Sequence, residues 1–218
     1  MTYEAIRQDE DVRTYITEAD KSLCELGYTE HSFAHVGHVA SVAGEILASL
    51  DFDARTVELA RIAGLLHDIG NLVNRVDHSQ SGALLAFHIL SRHGFPAREI
   101  ATIATAIGNH DEGTGEPVND ISAALILADK SDVRRSRVRN QDLSTFDIHD
   151  RVNYSVTSSK LNVKKEDGEI ELLLTVDTSI SSVMEYFEIF LNRMVLCRKA
   201  AARLGLSFKL NINGQHLI

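Results

Sequence analysis

From about residue 2 to residue 140 the apolar positions recur at helical spacing, and turn-forming residues interrupt them at regular intervals. Glu10 to Leu26 reads as a helix closed by Gly27. The next begins near Thr29 or Ser32 and runs to about Leu50; on it Val39, Val42, Ile46 and Leu50 fall on the face that carries His35. Asp53 is placed to cap a helix that reaches Leu66, with Gly70 just beyond it. A fourth helix spans His78 to His93 before Gly94, and a fifth starts at Pro96 and ends near Asn109. After the loop Gly113-Thr114-Gly115-Glu116-Pro117, a sixth runs from Asp120 to about Arg137.

Past residue 148 the period changes from helical to alternating. Val152, Tyr154, Val156, Leu161 and Val163 alternate with polar residues, Glu166-Asp167-Gly168 signals a turn, and Ile170, Leu172, Leu174 and Val176 alternate beyond it. A long amphipathic helix from about Ser181 to Leu204 follows, then a short strand at Phe208–Ile212. The expected fold is mainly α, a helical bundle over residues 1–148 with a small C-terminal α+β (β-β-α-β) unit over 149–218. The long helix carries Met184, Phe187, Phe190, Leu191, Met194 and Val195, more apolar surface than one small sheet covers. The unit is therefore expected to pack on the helical region or to form a homodimer.

Composition narrows the function. With 44% hydrophobic residues and only two prolines, a sizeable helical core is within reach. A net charge of -9 argues against a nucleic-acid polymer as general partner, while a local cationic pocket stays compatible with a small anionic substrate. Cys24 and Cys197 form no disulfide framework and read as reduced thiols. Met1-Thr2-Tyr3-Glu4 has no signal-peptide pattern, and no apolar run approaches a membrane span. A soluble cytoplasmic protein without a membrane partner is the expectation.

The chemistry centres on His67-Asp68, embedded in the apolar run Ile62 to Gly70. A buried imidazole beside a buried carboxylate is costly to desolvate unless something compensates both. His35 lies on an apolar helical stripe, His78 and His110 stand at helix ends, and Asp129 follows Ile121 and Leu125 at intervals of four. Neutral imidazoles mixed with carboxylates suit divalent first-row metals, and several helices can converge on one centre. For Asp129 a buried ion pair with Arg or Lys is the competing reading. His38, His88 and His93 read as surface or supporting residues, and His149 and His216 receive no role.

These residues resemble the HD-domain superfamily of metal-dependent phosphohydrolases over about residues 28 to 137. His35 followed by Val39 is similar to the first-helix histidine, His67-Asp68-Ile69-Gly70 to the signature, and Asp129 in Leu127-Ala128-Asp129-Lys130 to the last aspartate. His78 and His110 resemble the additional histidines of two-metal members. The resemblance implies a dinuclear site with His35, His67, Asp68, His78, His110 and Asp129 as ligands and Asp68 bridging, as in HD-GYP and diadenosine-tetraphosphate-hydrolysing relatives. Asn71 stands where many HD-GYP proteins have Lys, no GYP triplet occurs, and Leu72-Val73-Asn74 replaces the Glu-Asp pair of guanosine-tetraphosphate hydrolases. His31, one turn before His35, is read as a supporting residue.

The expected reaction is hydrolysis of a phosphate ester of a nucleotide or small phosphorylated metabolite. Two divalent cations, drawn from Mn, Fe, Mg, Ni or Zn, would supply a bridging hydroxide, with Asp68 and His67 at the catalytic centre. Lys130 and Arg134, expected to share a helix face, and Arg75 are the phosphate-binding candidates. Gly113-Thr114-Gly115 beside His110 is placed to act as a lid or a plain connector. The alternatives are a non-catalytic metal-binding module with signalling or scaffold duty, and a di-iron oxygenase.

Overall fold

In the computed structural model, which describes residues 1–218, nine α-helices enclose a core that runs on into a four-stranded sheet. The helices are α1 (Tyr3–Gln8), α2 (Glu10–Glu25), α3 (Phe33–Ser49), α4 (Ala54–Leu66), α5 (His78–Arg92), α6 (Ala97–Gly108), α7 (Asp120–Ser131), α8 (Ile148–Ser155) and α9 (Val183–Arg203). Their ends follow local chemistry. Ser32 accepts from the amide of Ala34 to open α3, and Asp53 accepts from those of Arg55 and Thr56 to open α4.

The centre of the bundle is α7, apolar on almost every side, which packs against α3, α4, α6 and α9. Beside it, α3 and α4 meet backbone to backbone: a Cβ added at Gly64 would lie 2.7 Å from the Ala40 Cα. This close antiparallel approach sets His35, in the first turn of α3, next to His67, the C-cap of α4. Ile62, Leu65 and Leu66 are buried around the pair. Each such side chain contributes roughly 1.5–3 kcal/mol of burial, which offsets the cost of enclosing polar groups.

Beyond His67-Asp68 the chain makes a 3-10 turn, Ile69–Leu72, and returns as α5. Gly70 is required there, because a Cβ at that position would run into the His78 carbonyl and the Gly82 amide.

Two expected elements differ. The helix predicted to reach Arg137 stops at Ser131: the Ser131 hydroxyl donates to the Ala128 carbonyl, and Asp132 leaves the helical region. Lys130, Arg134 and Arg137 therefore share no helix face, and Arg135–Arg137 is a separate 3-10 turn. The second difference is α8, where alternation suggested a strand from Val152. Asp147 caps it by accepting from the Asp150 amide, and Val152 and Ser155 turn inward. A period of two and a period of 3.6 coincide over so few residues.

The sheet follows in the order β1 (Val156–Lys164), β2 (Glu169–Val176), β3 (Ser207–Ile212), β4 (Gln215–His216). Strands β1 and β2 form the expected hairpin, antiparallel, with Leu161 opposite Leu172 and Gly168 at positive φ in the turn. Strand β3 runs parallel to β2 after the α9 crossover, Leu172 beside Leu210. On α9, Tyr186, Phe190, Met194 and Cys197 are buried, whereas Met184 and Leu191 remain exposed. No helix is long and apolar enough to cross a membrane.

Candidate metal centre

Five elements deliver the six sequence-predicted donors to one point, and Asp68 is its hub. The Asp68 Oδ2 lies 3.2 Å from His67 Nε2 and 3.5 Å from His35 Nε2. Its Oδ1 lies 3.4 Å from His78 Nε2 and 3.9 Å from His110 Nε2. Asp129 Oδ1 adds to the first group, 3.4 Å from His35 Nε2 and 3.7 Å from His67 Nε2. One carboxylate thus faces two sets of imidazoles with its two oxygens.

The rings are oriented from behind. His67 Nδ1 donates to the Gly64 carbonyl over 2.8 Å, His78 Nδ1 to that of Arg75 over 3.1 Å, and His110 Nδ1 to that of Ile107 over 2.6 Å. His35 Nδ1 bonds the Asp132 carboxylate over 2.8 Å. A carbonyl oxygen only accepts, so each Nδ1 bonded to one carries the proton and each Nε2 offers a lone pair toward Asp68.

Such a lone pair cannot hydrogen-bond a carboxylate; a proton or a metal cation must lie between them. His35 Nε2 and His67 Nε2 are buried and have no hydrogen-bond partner. Metal–ligand distances of about 2.0–2.2 Å put neighbouring donor atoms ~3–3.6 Å apart, the range most of these pairs occupy. The donor set fits a divalent cation on chemistry and on spacing.

Where no metal is bound, the carboxylates draw a proton onto His67 Nε2 in its place. Burial alone would lower the His67 imidazole, yet Asp68 and Asp129 outweigh it and hold the group up to about 10. Burial would raise Asp68 and Asp129, but His67 beside the former and Lys130 beside the latter keep both well below the carboxylate range. His110, buried and close to His67, is pushed down to about 3.

Above the donors opens a polar cavity of about 410 Å³. Its floor is Asp68, His78, His110 and Asp129, with His35 and His67 beneath; its walls include Tyr28, Arg75, Lys130, Arg137, His149 and Arg193. Arg75 lies 3.9 Å from Asp68 Oδ1, and Lys130 Nζ lies 2.8 Å from Asp129 Oδ2. The competing ion-pair reading of Asp129 is met in part, because its neighbour Lys130 pairs with one oxygen while the other faces the histidines.

Arg134 is the expected phosphate ligand that the structure removes. With α7 ended, it turns back to pair with Asp132 and does not line the cavity. His31 does line it, with Nε2 3.9 Å from Asp68 Oδ2. Sequence reasoning missed Asp132, which holds His35 from behind, and Arg193 as a cavity cation; Arg137, whose place on a helix favoured a surface role, also lines the cavity. Sequence reasoning also assigned His149 no role, although that residue lines the cavity. Asp132 had a faint signal, an acid three residues beyond Asp129. Arg193 had none, because its long helix looked merely amphipathic.

A family model described as HD domain matches residues 32–151. The chain is 33% identical over 138 residues to a protein named Ribonuclease Y from Aliarcobacter butzleri (strain RM4018), covering 62% of this chain and 25% of that protein. It is 34% identical over 119 residues to a Ribonuclease Y from Wolinella succinogenes, covering 55% and 21%. The chain thus spans about a quarter of the length of the curated relatives it matches. A crystal structure described as a predicted HD superfamily hydrolase from an uncultured Thermotogales bacterium is similar at 28% identity and a TM-score of 0.46, covering 57% of this chain and 67% of that one.

Proposed function

This chain belongs to the HD-domain family, and on that premise we propose that it is a metal-dependent phosphohydrolase acting on a phosphate ester of nucleotide size. His35, His67, Asp68 and Asp129 would hold one divalent cation, and Asp68, His78 and His110 a second. The observation that carries the reading is the division of Asp68, whose Oδ2 faces His35 and His67 while its Oδ1 faces His78 and His110. Cations bound there supply a water of lowered pKa and polarise the phosphoryl oxygens.

The remaining work falls to the protein. Asp68 and Asp129 concentrate negative charge on the floor, and Lys130 and Arg75 stand at its edge to donate to the non-bridging oxygens of a phosphate. Lys130 is held by Asp129 and by Glu112, 3.5 Å away, so its ammonium is fixed before substrate arrives. No side-chain nucleophile is needed: burial pushes the Cys197 thiol up to about 12, and Cys197 is absent from the cavity lining.

A cavity of about 410 Å³ is of a size that encloses a small molecule. A second reading, favoured by the relatives named Ribonuclease Y, is an RNA phosphodiester whose reacting nucleotide alone enters the cavity. The test is turnover by Mn-loaded protein of mononucleotides, dinucleotides, bis(p-nitrophenyl) phosphate and short single-stranded RNA, with Asp68→Ala as control. Cleavage of the small esters supports the first reading, and cleavage of RNA alone supports the second. Metal binding without turnover of any ester overturns both.

A further inference from the structure

The helix α9 lies outside the matched family segment, yet Ile189, Phe190 and Arg193 on it form one wall of the cavity. Arg193 is tightly placed. Its Nε donates to Glu112 Oε1 over 2.8 Å, and its guanidinium lies 3.9 Å from the centre of the Phe190 ring. The side chain is 19% exposed, and neither Nη group has a hydrogen-bond acceptor in the protein. A guanidinium pinned along one edge and one face presents its remaining edge as a fixed two-pronged donor, matched to a phosphate or carboxylate.

Its position sets it apart from the other cavity cations, of which Arg137 already donates to the Glu30 and Asp132 carbonyls. Arg75 borders Asp68, and Lys130 borders Asp129, so both stand at the proposed phosphoryl centre. Arg193 borders neither carboxylate; Glu112 lies between it and Lys130. The phosphoryl group at the centre already has cations of its own, and Arg193 is left for a different anion.

We propose that Arg193 is a specificity-determining residue that binds a second anionic group of the substrate, so that the protein prefers a doubly phosphorylated small molecule over its singly phosphorylated counterpart. This rests on the phosphoester reading of the centre. The C-terminal unit then completes the substrate cavity and selects what enters it.

The experiment compares adenosine 3′,5′-bisphosphate with adenosine 5′-monophosphate on the Mn-loaded 218-residue chain, measuring kcat, KM and, separately, equilibrium binding by calorimetry. Wild-type protein is expected to bind the bisphosphate at least tenfold more tightly. In Arg193→Met, which keeps an apolar stem against Phe190, that ratio should collapse toward one, chiefly through Kd and KM. Arg193→Lys, which keeps the charge without the fork, should fall between. An equal loss for both nucleotides, or an unchanged ratio in both variants, overturns the proposal. If wild-type protein hydrolyses neither nucleotide nor any other ester, the phosphohydrolase reading fails on its own, while the binding ratio still decides the role of Arg193.

Discussion

Asp132 accepts a hydrogen bond from His35 Nδ1 over 2.8 Å, although 97 positions separate the two residues. The bond turns the His35 ring so that Nε2 points at Asp68 and Asp129. Asp132 is itself buried and held by Arg134 and Arg137, with His35 and Arg137 keeping its carboxylate below the usual range against the effect of burial. Partners behind a metal-binding imidazole set its orientation and basicity. Asp132→Ala is therefore expected to weaken Mn or Zn affinity by about 10–100-fold, measured by chelator competition. An affinity within twofold of wild type would mean that packing alone orients His35.

Asp68→Ala should have a larger and different effect. It removes the oxygens that face both histidine sets. The expected result is loss of turnover and of at least one metal equivalent by elemental analysis. Retention of the full wild-type metal content would show that the two sets do not depend on a shared carboxylate.

Metal binding and pH are linked through His67, whose folded value of about 10 lies above its ordinary 6.5. A raised value means that the bound proton stabilises the metal-free fold fully below about pH 6.5, and that this stability is lost as pH rises through about 10. The chelated protein should therefore show a falling Tm between pH 7 and 10. The metal-loaded protein, with Nε2 bound to metal, should show a flatter profile. Parallel profiles in the two states would refute the linkage.

Of the three phosphate candidates read from the sequence, Lys130 and Arg134 should separate on mutation. Lys130→Ala is expected to lower kcat/KM at least tenfold, because its ammonium stands beside Asp129 at the cavity floor. Arg134→Ala should change KM less than threefold, since Arg134 pairs with Asp132 outside the cavity. Steady-state kinetics on any cleaved ester settles the contrast.

Gly70→Ala probes the turn that carries the signature. The added methyl would meet the His78 carbonyl and the Gly82 amide, both backbone atoms that cannot step aside alone. Overpacking of this kind costs about 1–3 kcal/mol. A drop in Tm of roughly 3–10 °C is expected in a chain of this size, together with weaker metal binding through displacement of His78. A variant with wild-type Tm would mean that α5 shifts freely against the turn.

Most of the helical bundle was legible from the chain alone, and the reason is local. Ser32 and Asp53 cap their helices through bonds spanning two or three residues, and the apolar stripes that define α3 and α4 need no distant partner. The candidate donors were legible for a related reason: a histidine or aspartate inside an apolar run is costly wherever the run folds, so His67, Asp68 and Asp129 announced a shared centre. What only the tertiary structure decided involves partners distant in sequence. Asp132 turns inward because α7 ends at Ser131 and His35 waits 97 positions away. That turn takes Arg134 out of the cavity, while the packing of α9 on α7 brings Arg193 in. Periodicity tells which face of a helix is buried; it does not tell which other helix that face meets.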